Sequence, residues 1–234
     1  MQRRRDMHQV LATKSAKELE EHMAILILLR HGQSVWNKEN RFTGWTDVGL
    51  SPQGESEARA AGRRIAHLPI DRVFTSVLQR AIRTAEIALH VAGKPNLPIA
   101  KDQALNERDY GDLTGLNKDE MRQQFGEAQV HIWRRSFDVK PPGGESLKDT
   151  CARVMPYYRT EILPLLKGGE NLFVAAHGNS LRALIKDLEN ISDDDIVKLE
   201  IATGLPIVYT LDRDGVVLRK EILDSDPANQ QNAI

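Results

Sequence analysis

The chain has 234 residues, 41% of them hydrophobic and 28% charged, with a formal net charge of −1. That length buries a sizeable core in one domain or at most two, and the composition excludes a disordered or fibrous chain. The balanced charge excludes a nucleic-acid binder driven by bulk electrostatics, and the single cysteine, Cys151, excludes an internal disulfide or a thiolate metal cluster.

Residues 1–22, "MQRRRDMHQVLATKSAKELEEH", mix arginine and lysine with four acidic residues and lack the apolar segment of a secretory signal. They read as a flexible, partly helical extension with no assignable function. Ile25 to Leu29 is pure hydrocarbon, long enough for a strand buried on both faces and too short for a buried helix. "LSPQGESEARAAGRRIAHL" opens a helix with Ser51 as N-cap and Pro52 at its first position. "IDRVFTS" (70–76) reads as a second strand, and "VLQRAIRTAEIALHVAG" as a helix closed by Gly93 and Pro95. "NKDEMRQQFGEAQVHIWRRSF" is helical with an interruption near Gly126. "ESLKDTCARVMPYYRTEILPLLKGG" is helical again, with a kink predicted at Pro156 and a stop at Gly168-Gly169. Residues 171–176 form a strand that runs into His177, and "SLRALIKDLEN" is the helix behind it. "PIVYTLDRDGVVLRKEIL" predicts a terminal hairpin turning at Asp214-Gly215. No apolar stretch is long enough to span a bilayer. The alternation predicts a three-layer α/β/α sandwich with a mostly parallel central sheet. Residues 23–223 are read as one domain and 224–234 as a flexible tail.

Two apolar runs each end on His-Gly: "ILILLRHGQS" and "NLFVAAHGNS". In open α/β sheets, ligands bind beyond the carboxyl ends of the strands. His31 and His177 therefore face each other across one pocket if their strands are neighbours, and the glycine after each lets backbone approach a ligand. The competing account, two core histidines bonded to backbone, needs two coincidences at equivalent strand ends. No third ligand stands at a His-x-x-x-His spacing and no cysteine is near, so no metal is expected. Arg30 precedes His31, and Arg80 lies in the first turn of a helix that follows another strand end. Helix N-termini and arginine forks both suit phosphate oxygens, so two histidines and two arginines make a metal-free phosphate pocket.

The segments "RHGQSVWNKENRFTGWTDVGLSPQG", "TSVLQRAIRTA", "LNERDYGDLTGLNK", "WRRSFDVKPPGGES" and "AAHGNSLRALIKDLENIS" together resemble the histidine phosphatase superfamily, and within it the cofactor-dependent phosphoglycerate mutases. The resemblance runs from about residue 25 to residue 222 and implies the phosphoglycerate mutase-like fold. It implies that His31 becomes phosphorylated and that Arg30, Arg80, Asn37 and His177 hold the transferring group. A protonated His177 suits that role, and the cations Arg30 and Arg80 should keep His31 neutral near pH 7. Glu107 matches the family's acid/base. Arg108, Tyr110, Lys118, Arg134 and Arg135 match the grip on the far end of a phosphorylated three-carbon acid, with Thr43 and Gly44 closing the near side. Ser34, Gly178 and Asn179, within the two His-Gly motifs, complete the matched binding set. The implied reaction interconverts 3-phosphoglycerate and 2-phosphoglycerate in glycolysis and gluconeogenesis. 2,3-Bisphosphoglycerate is the implied phosphoryl donor, and the implied partners are small phosphoglycerates, with no nucleic acid and no membrane. A cytoplasmic setting fits, and a homo-oligomer is compatible with the family. The alternative built on the same residues is a phosphatase acting on small phosphate esters, or a bisphosphoglycerate synthase or phosphatase. Two departures stand out. The chain passes directly from Pro141-Pro142 to Gly143-Gly144-Glu145-Ser146, without the insertion of larger members, and Gln33 stands where many relatives carry Glu.

Overall fold

The computed structural model describes residues 23–225, so the extension expected at 1–22 and residues 226–234 of the expected tail lie outside it. The chain builds one six-stranded sheet with helices on both faces. Its strands are β1 (Ala24–Arg30), β2 (Arg72–Thr75), β3 (Ile99–Lys101), β4 (Leu172–Ala176), β5 (Ile207–Leu211) and β6 (Val217–Ile222), in the order β3-β2-β4-β1-β5-β6. β1 to β4 run parallel, while β5 and β6 form the antiparallel hairpin expected at the end of the chain. β3 is a strand the sequence did not reveal. It has three residues, pairs only with β2 and closes one edge of the sheet.

The helices are α1 (Val35–Lys38), α2 (Pro52–Ile65), α3 (Gln79–Val91), α4 (Lys118–Phe125), α5 (Glu127–Arg135), α6 (Leu147–Tyr157), α7 (Leu163–Lys167), α8 (Gly178–Leu188) and α9 (Asp193–Ile196). α2 starts as expected, with Ser51 Oγ accepting the Gly54 N–H at 3.1 Å and Pro52 at its first position. The break near Gly126 separates α4 from α5, where that glycine adopts a φ of 86°. α6 runs through Pro156 to Tyr157, and a wide π turn over Tyr158–Ile162 follows it, directly before α7, whose second residue is Pro164. Pro164 has no N–H to donate back to the Thr160 carbonyl, which lies within that turn. α7 then stops at Lys167, before Gly168-Gly169.

β1 shows why the hydrocarbon run was needed. Leu26 and Leu28 enter a core with α6, the π turn, α7 and α8, whereas Ile27 and Leu29 enter a second core with α2 and α3. Every residue from Leu26 to Leu29 is fully buried. Each such side chain contributes about 1.5–3 kcal/mol by leaving water. β4 alternates in the same way, with Val174 in the first core and Phe173 in the second. The two central parallel strands are thus held rigidly from both sides, and both end at one rim of the sheet. Among the described residues no helix is long and apolar enough to cross a membrane.

Candidate active site

β1 and β4 are neighbours, Arg30 pairing with Ala176, and the His31 N–H donates to the Ala176 carbonyl at 2.9 Å. The residues that follow the two strands are the histidines. Their ring centroids lie 5.0 Å apart with planes tilted by 60°. Both are almost wholly buried. Nδ1 of His31 sits 2.7 Å from the carbonyl of Gly32, which can only accept. The proton therefore resides on Nδ1, and Nε2 keeps its lone pair. Nε2 of His177 pairs with Ser76 Oγ at 2.7 Å.

Burial, above all, holds the His31 pKa well below the ordinary value, with His177, Arg80 and Arg30 adding to it. Desolvation, and not the arginines expected from the sequence, is thus the larger cause. Burial likewise leads the downward shift of His177, followed by Arg80, Arg30 and Arg153. In the protein without a ligand these causes disfavour the imidazolium of His177.

Gly32 also has a different role from the one expected. A Cβ there would lie 2.2 Å from the Gly54 carbonyl oxygen, and one at Gly54 would lie 2.0 Å from the Gln33 oxygen. These glycines let the turn after β1 press against the start of α2 and do not face a ligand. At Gly178 a Cβ would sit 3.6 Å from Arg30 Nε and 3.7 Å from Glu107 Oε2, on the wall of the cavity.

Arg80, the second residue of α3, is buried to 1% exposure. Its Nη1 and Nη2 donate to the carbonyls of Thr46 and Gly44 at 2.9 and 2.8 Å. Asp47 Oδ1 accepts the N–H of Gln79 at 2.7 Å, so the start of α3 and the loop 43–47 are tied together. Burial lowers the Arg80 pKa to about 10, against the opposing pull of Glu107 and Asp47, and the group stays cationic at neutral pH. Arg30 donates from Nη1 to the Ile201 carbonyl at 2.7 Å. The Nε atoms of Arg30 and Arg80 are buried without a partner.

Glu107 lies opposite, against the N-terminus of α8. Its Oε1 accepts the Arg108 N–H at 2.8 Å and both the N–H and the side-chain amide of Asn179 at 3.0 Å. Burial pushes its pKa up, but the Arg108 N–H, Arg30, Asn179 and Arg80 together outweigh it and hold the carboxyl below its usual range.

A cavity of about 190 Å³ gathers most of the residues expected from sequence: Arg30, His31, Asn37, Thr43, Gly44, Arg80, Glu107, Tyr110, Lys118, Arg134, Arg135, Gly178 and Asn179. Ser34 lies outside its lining. That hydroxyl accepts the Asn37 N–H at 3.1 Å and caps α1, thereby orienting Asn37. Arg108 also lies outside. Fully buried behind the wall, it donates from Nη2 to the Arg134 carbonyl at 2.9 Å and to the Tyr110 hydroxyl at 3.2 Å. Gln33 binds Ser51 Oγ and the Glu57 carboxylate, so the residue that departs from many relatives braces α2.

Three charged lining residues escaped the sequence reading: Arg41, Arg182 and Glu200. Arg182 stands three positions after Asn179 on α8 and therefore on the same helix face, a spacing that could have revealed it. Glu200 comes from an irregular segment with no periodicity to read. Among the described residues no group of three or more side chains is placed to hold a metal ion.

The histidine phosphatase superfamily (branch 1) matches residues 26–222. A 2,3-bisphosphoglycerate-dependent phosphoglycerate mutase of Methylobacterium sp. (strain 4-46) is 58% identical over 204 residues, covering 86% of this chain and 98% of that one. A phosphoglycerate mutase of Schizosaccharomyces pombe is 55% identical over 203 residues, covering 86% and 96%. A solved mycobacterial glucosyl-3-phosphoglycerate phosphatase, complexed with VO3, superposes with a TM-score of 0.69 at 27% identity, covering 80% of this chain and 92% of that chain. A phosphoglycerate mutase from Bacillus anthracis shares the fold, with a TM-score of 0.72 at 23% identity and coverage of 88% and 96%. With a superfamily match across nearly the whole sheet and relatives this similar along their entire length, the chain belongs to the phosphoglycerate mutase family of the histidine phosphatase superfamily.

Proposed function

We propose that this protein interconverts 3-phosphoglycerate and 2-phosphoglycerate through phosphorylated His31, as a cytoplasmic enzyme whose catalytic domain is residues 23–223. The observation that carries the reading is the tautomer of His31: Nδ1 is committed to the Gly32 carbonyl beside a second histidine ring, which leaves Nε2 as the nucleophile. Phosphoryl transfer passes through a loose transition state with charge on the equatorial oxygens, so donors aimed at those oxygens do most of the work. In this reading Arg30, Arg80 and Asn37, which line the cavity, supply those donors, with His177 beside His31. An entering phosphoryl dianion favours the imidazolium of His177, which is neutral in the protein alone.

Glu107 exchanges a proton with the substrate hydroxyl through Oε2, its Oε1 being saturated with donors. Tyr110, Lys118, Arg134 and Arg135 hold the far carboxylate or phosphate, and Thr43 and Gly44 close the near side. Arg108 supports that end from behind. The buried, unpartnered Nε atoms of Arg30 and Arg80 and the cations at the opposite end suit a ligand that is anionic at both ends, as 2,3-bisphosphoglycerate is. When bound, it supplies the phosphoryl group that His31 accepts.

The test is phosphorus NMR of the protein with 3-phosphoglycerate in chelator, with and without a trace of 2,3-bisphosphoglycerate. A 2-phosphoglycerate signal that needs the trace donor and vanishes in His31→Ala is the expected result. Accumulation of inorganic phosphate instead would mean a phosphatase built on the same groups.

A further inference from the structure

Six arginines and one lysine line the cavity, against two carboxylates. Glu107 is buried and has a place in the reading above. Glu200 is exposed over 69% of its side chain, stands at the mouth, and pairs through Oε1 with Arg135, while its Oε2 lies 3.8 Å from Arg182. Its position is built rather than incidental. The carbonyl of the residue before it, Leu199, accepts Nε and Nη2 of Arg182 at 2.9 and 2.8 Å. The carbonyl of the residue after it, Ile201, accepts Nη1 of Arg30 at 2.7 Å. Two pocket arginines thus grip the backbone on both sides of Glu200 and place the residue at the rim of the cavity. No other described acid is placed to neutralise Arg135.

We propose that Glu200 is a resident competitor for the substrate's far-end anion. Before a ligand enters, it satisfies Arg135 and faces Arg182, holding both guanidinium groups in place. A two-ended anion must displace it to reach Arg135, and its return hastens release. The displacement is cheap because the Glu200 end of the pair is exposed to water, which screens it, and only the backbone around it is anchored. The result is an affinity set deliberately below what the cations alone would give.

The inference rests on the cavity being a phosphoglycerate site, so its test uses two probes. Pyrophosphate, which carries an anion at each end, is titrated by calorimetry into the unmodified protein, Glu200→Gln and Glu161→Gln, and the KM for 3-phosphoglycerate is measured alongside. Glu161 is exposed on the π turn after α6, outside the cavity lining, and its change removes the same unit of charge. Glu200→Gln is expected to bind pyrophosphate about three- to fivefold more tightly and to lower KM by a similar factor. Glu161→Gln is expected to change neither. Unchanged or weaker binding in Glu200→Gln, an equal gain in Glu161→Gln, or no pyrophosphate binding at all would overturn the inference. If pyrophosphate binds but 3-phosphoglycerate is not turned over, the proposed reaction fails, while the pyrophosphate series still decides the role of Glu200.

Discussion

Asn179 donates twice to a single oxygen of Glu107, through its backbone N–H and its side-chain amide, each at 3.0 Å from Oε1. The Arg108 N–H adds a third donor to the same atom. One oxygen of the carboxylate is spent on geometry, and Oε2, beside Gly178, is left for the proton. Glu107→Gln keeps the shape and loses the titratable group. It should lower kcat by roughly 10²–10⁴-fold with little change in KM, as read from steady-state kinetics. Unaltered turnover would remove Glu107 from the chemistry.

Asn179→Ala takes away one donor to the charged form of Glu107 and leaves the backbone donor in place. A hydrogen bond to a charged group is worth about 1.5–3 kcal/mol, or about one to two pKa units. The carboxyl pKa is held low in the parent, so losing this donor raises it. The acid limb of the kcat/KM profile should move to higher pH by about that much, and an unmoved limb would contradict the assignment.

The buried neutral histidines give the fold a defined pH dependence. Both His31 and His177 have pKa values below the unfolded value, near 6.5, so below that pH the unfolded chain binds protons the folded one refuses. Their contribution is complete above about pH 6.5 and is lost as pH falls toward the folded values, with a slope of up to about 1.4 kcal/mol per pH unit for each. Urea midpoints measured between pH 7.5 and pH 5 should show the decline, and His177→Ala should reduce its slope by about one proton.

Arg153 gathers the loop that carries Glu107. Its guanidinium donates to the carbonyls of Gln103, Ala104, Asn106 and Glu107 at 2.8–3.3 Å and forms a forked pair with Glu145. A lysine keeps the charge but not the fork, and small misplacements of a reacting group are costly. Arg153→Lys should reduce kcat roughly 10- to 100-fold and KM much less. A lowered melting temperature with normal kcat would confine Arg153 to holding up the fold.

Gly32→Ala tests the contact behind the nucleophile. The added methyl would meet the Gly54 carbonyl at 2.2 Å, backbone against backbone, with no flexible side chain to yield. Overpacking of this kind costs about 1–3 kcal/mol or more, and separation of β1 from α2 would carry His31 with it. Thermal melts should show the loss, and an unperturbed melting temperature would contradict the geometry.

The histidines, Arg30, Arg80 and Glu107 were legible because strand ends and helix starts are visible as pattern breaks, and because their motifs resemble those of a known family. Helix starts were legible through capping chemistry at Ser51-Pro52. What escaped had no local signature. β3 is too short for alternation to show, and Glu200 is placed by hydrogen bonds from arginines 18 and more than 100 residues away along the chain. The burial of Arg108 was equally hidden, since nothing in "NERDYG" distinguishes a guanidinium that faces a ligand from one that faces a backbone carbonyl.

The β1–β4 pairing has a consequence for how the protein is made. Each residue of β1 meets a partner 146 positions later, and the two histidines continue that offset. His31 leaves the ribosome long before His177 exists, so no nascent or truncated chain that lacks β4 can assemble the pocket. An anion that binds this pocket can therefore hold only chains in which β1 and β4 have already paired.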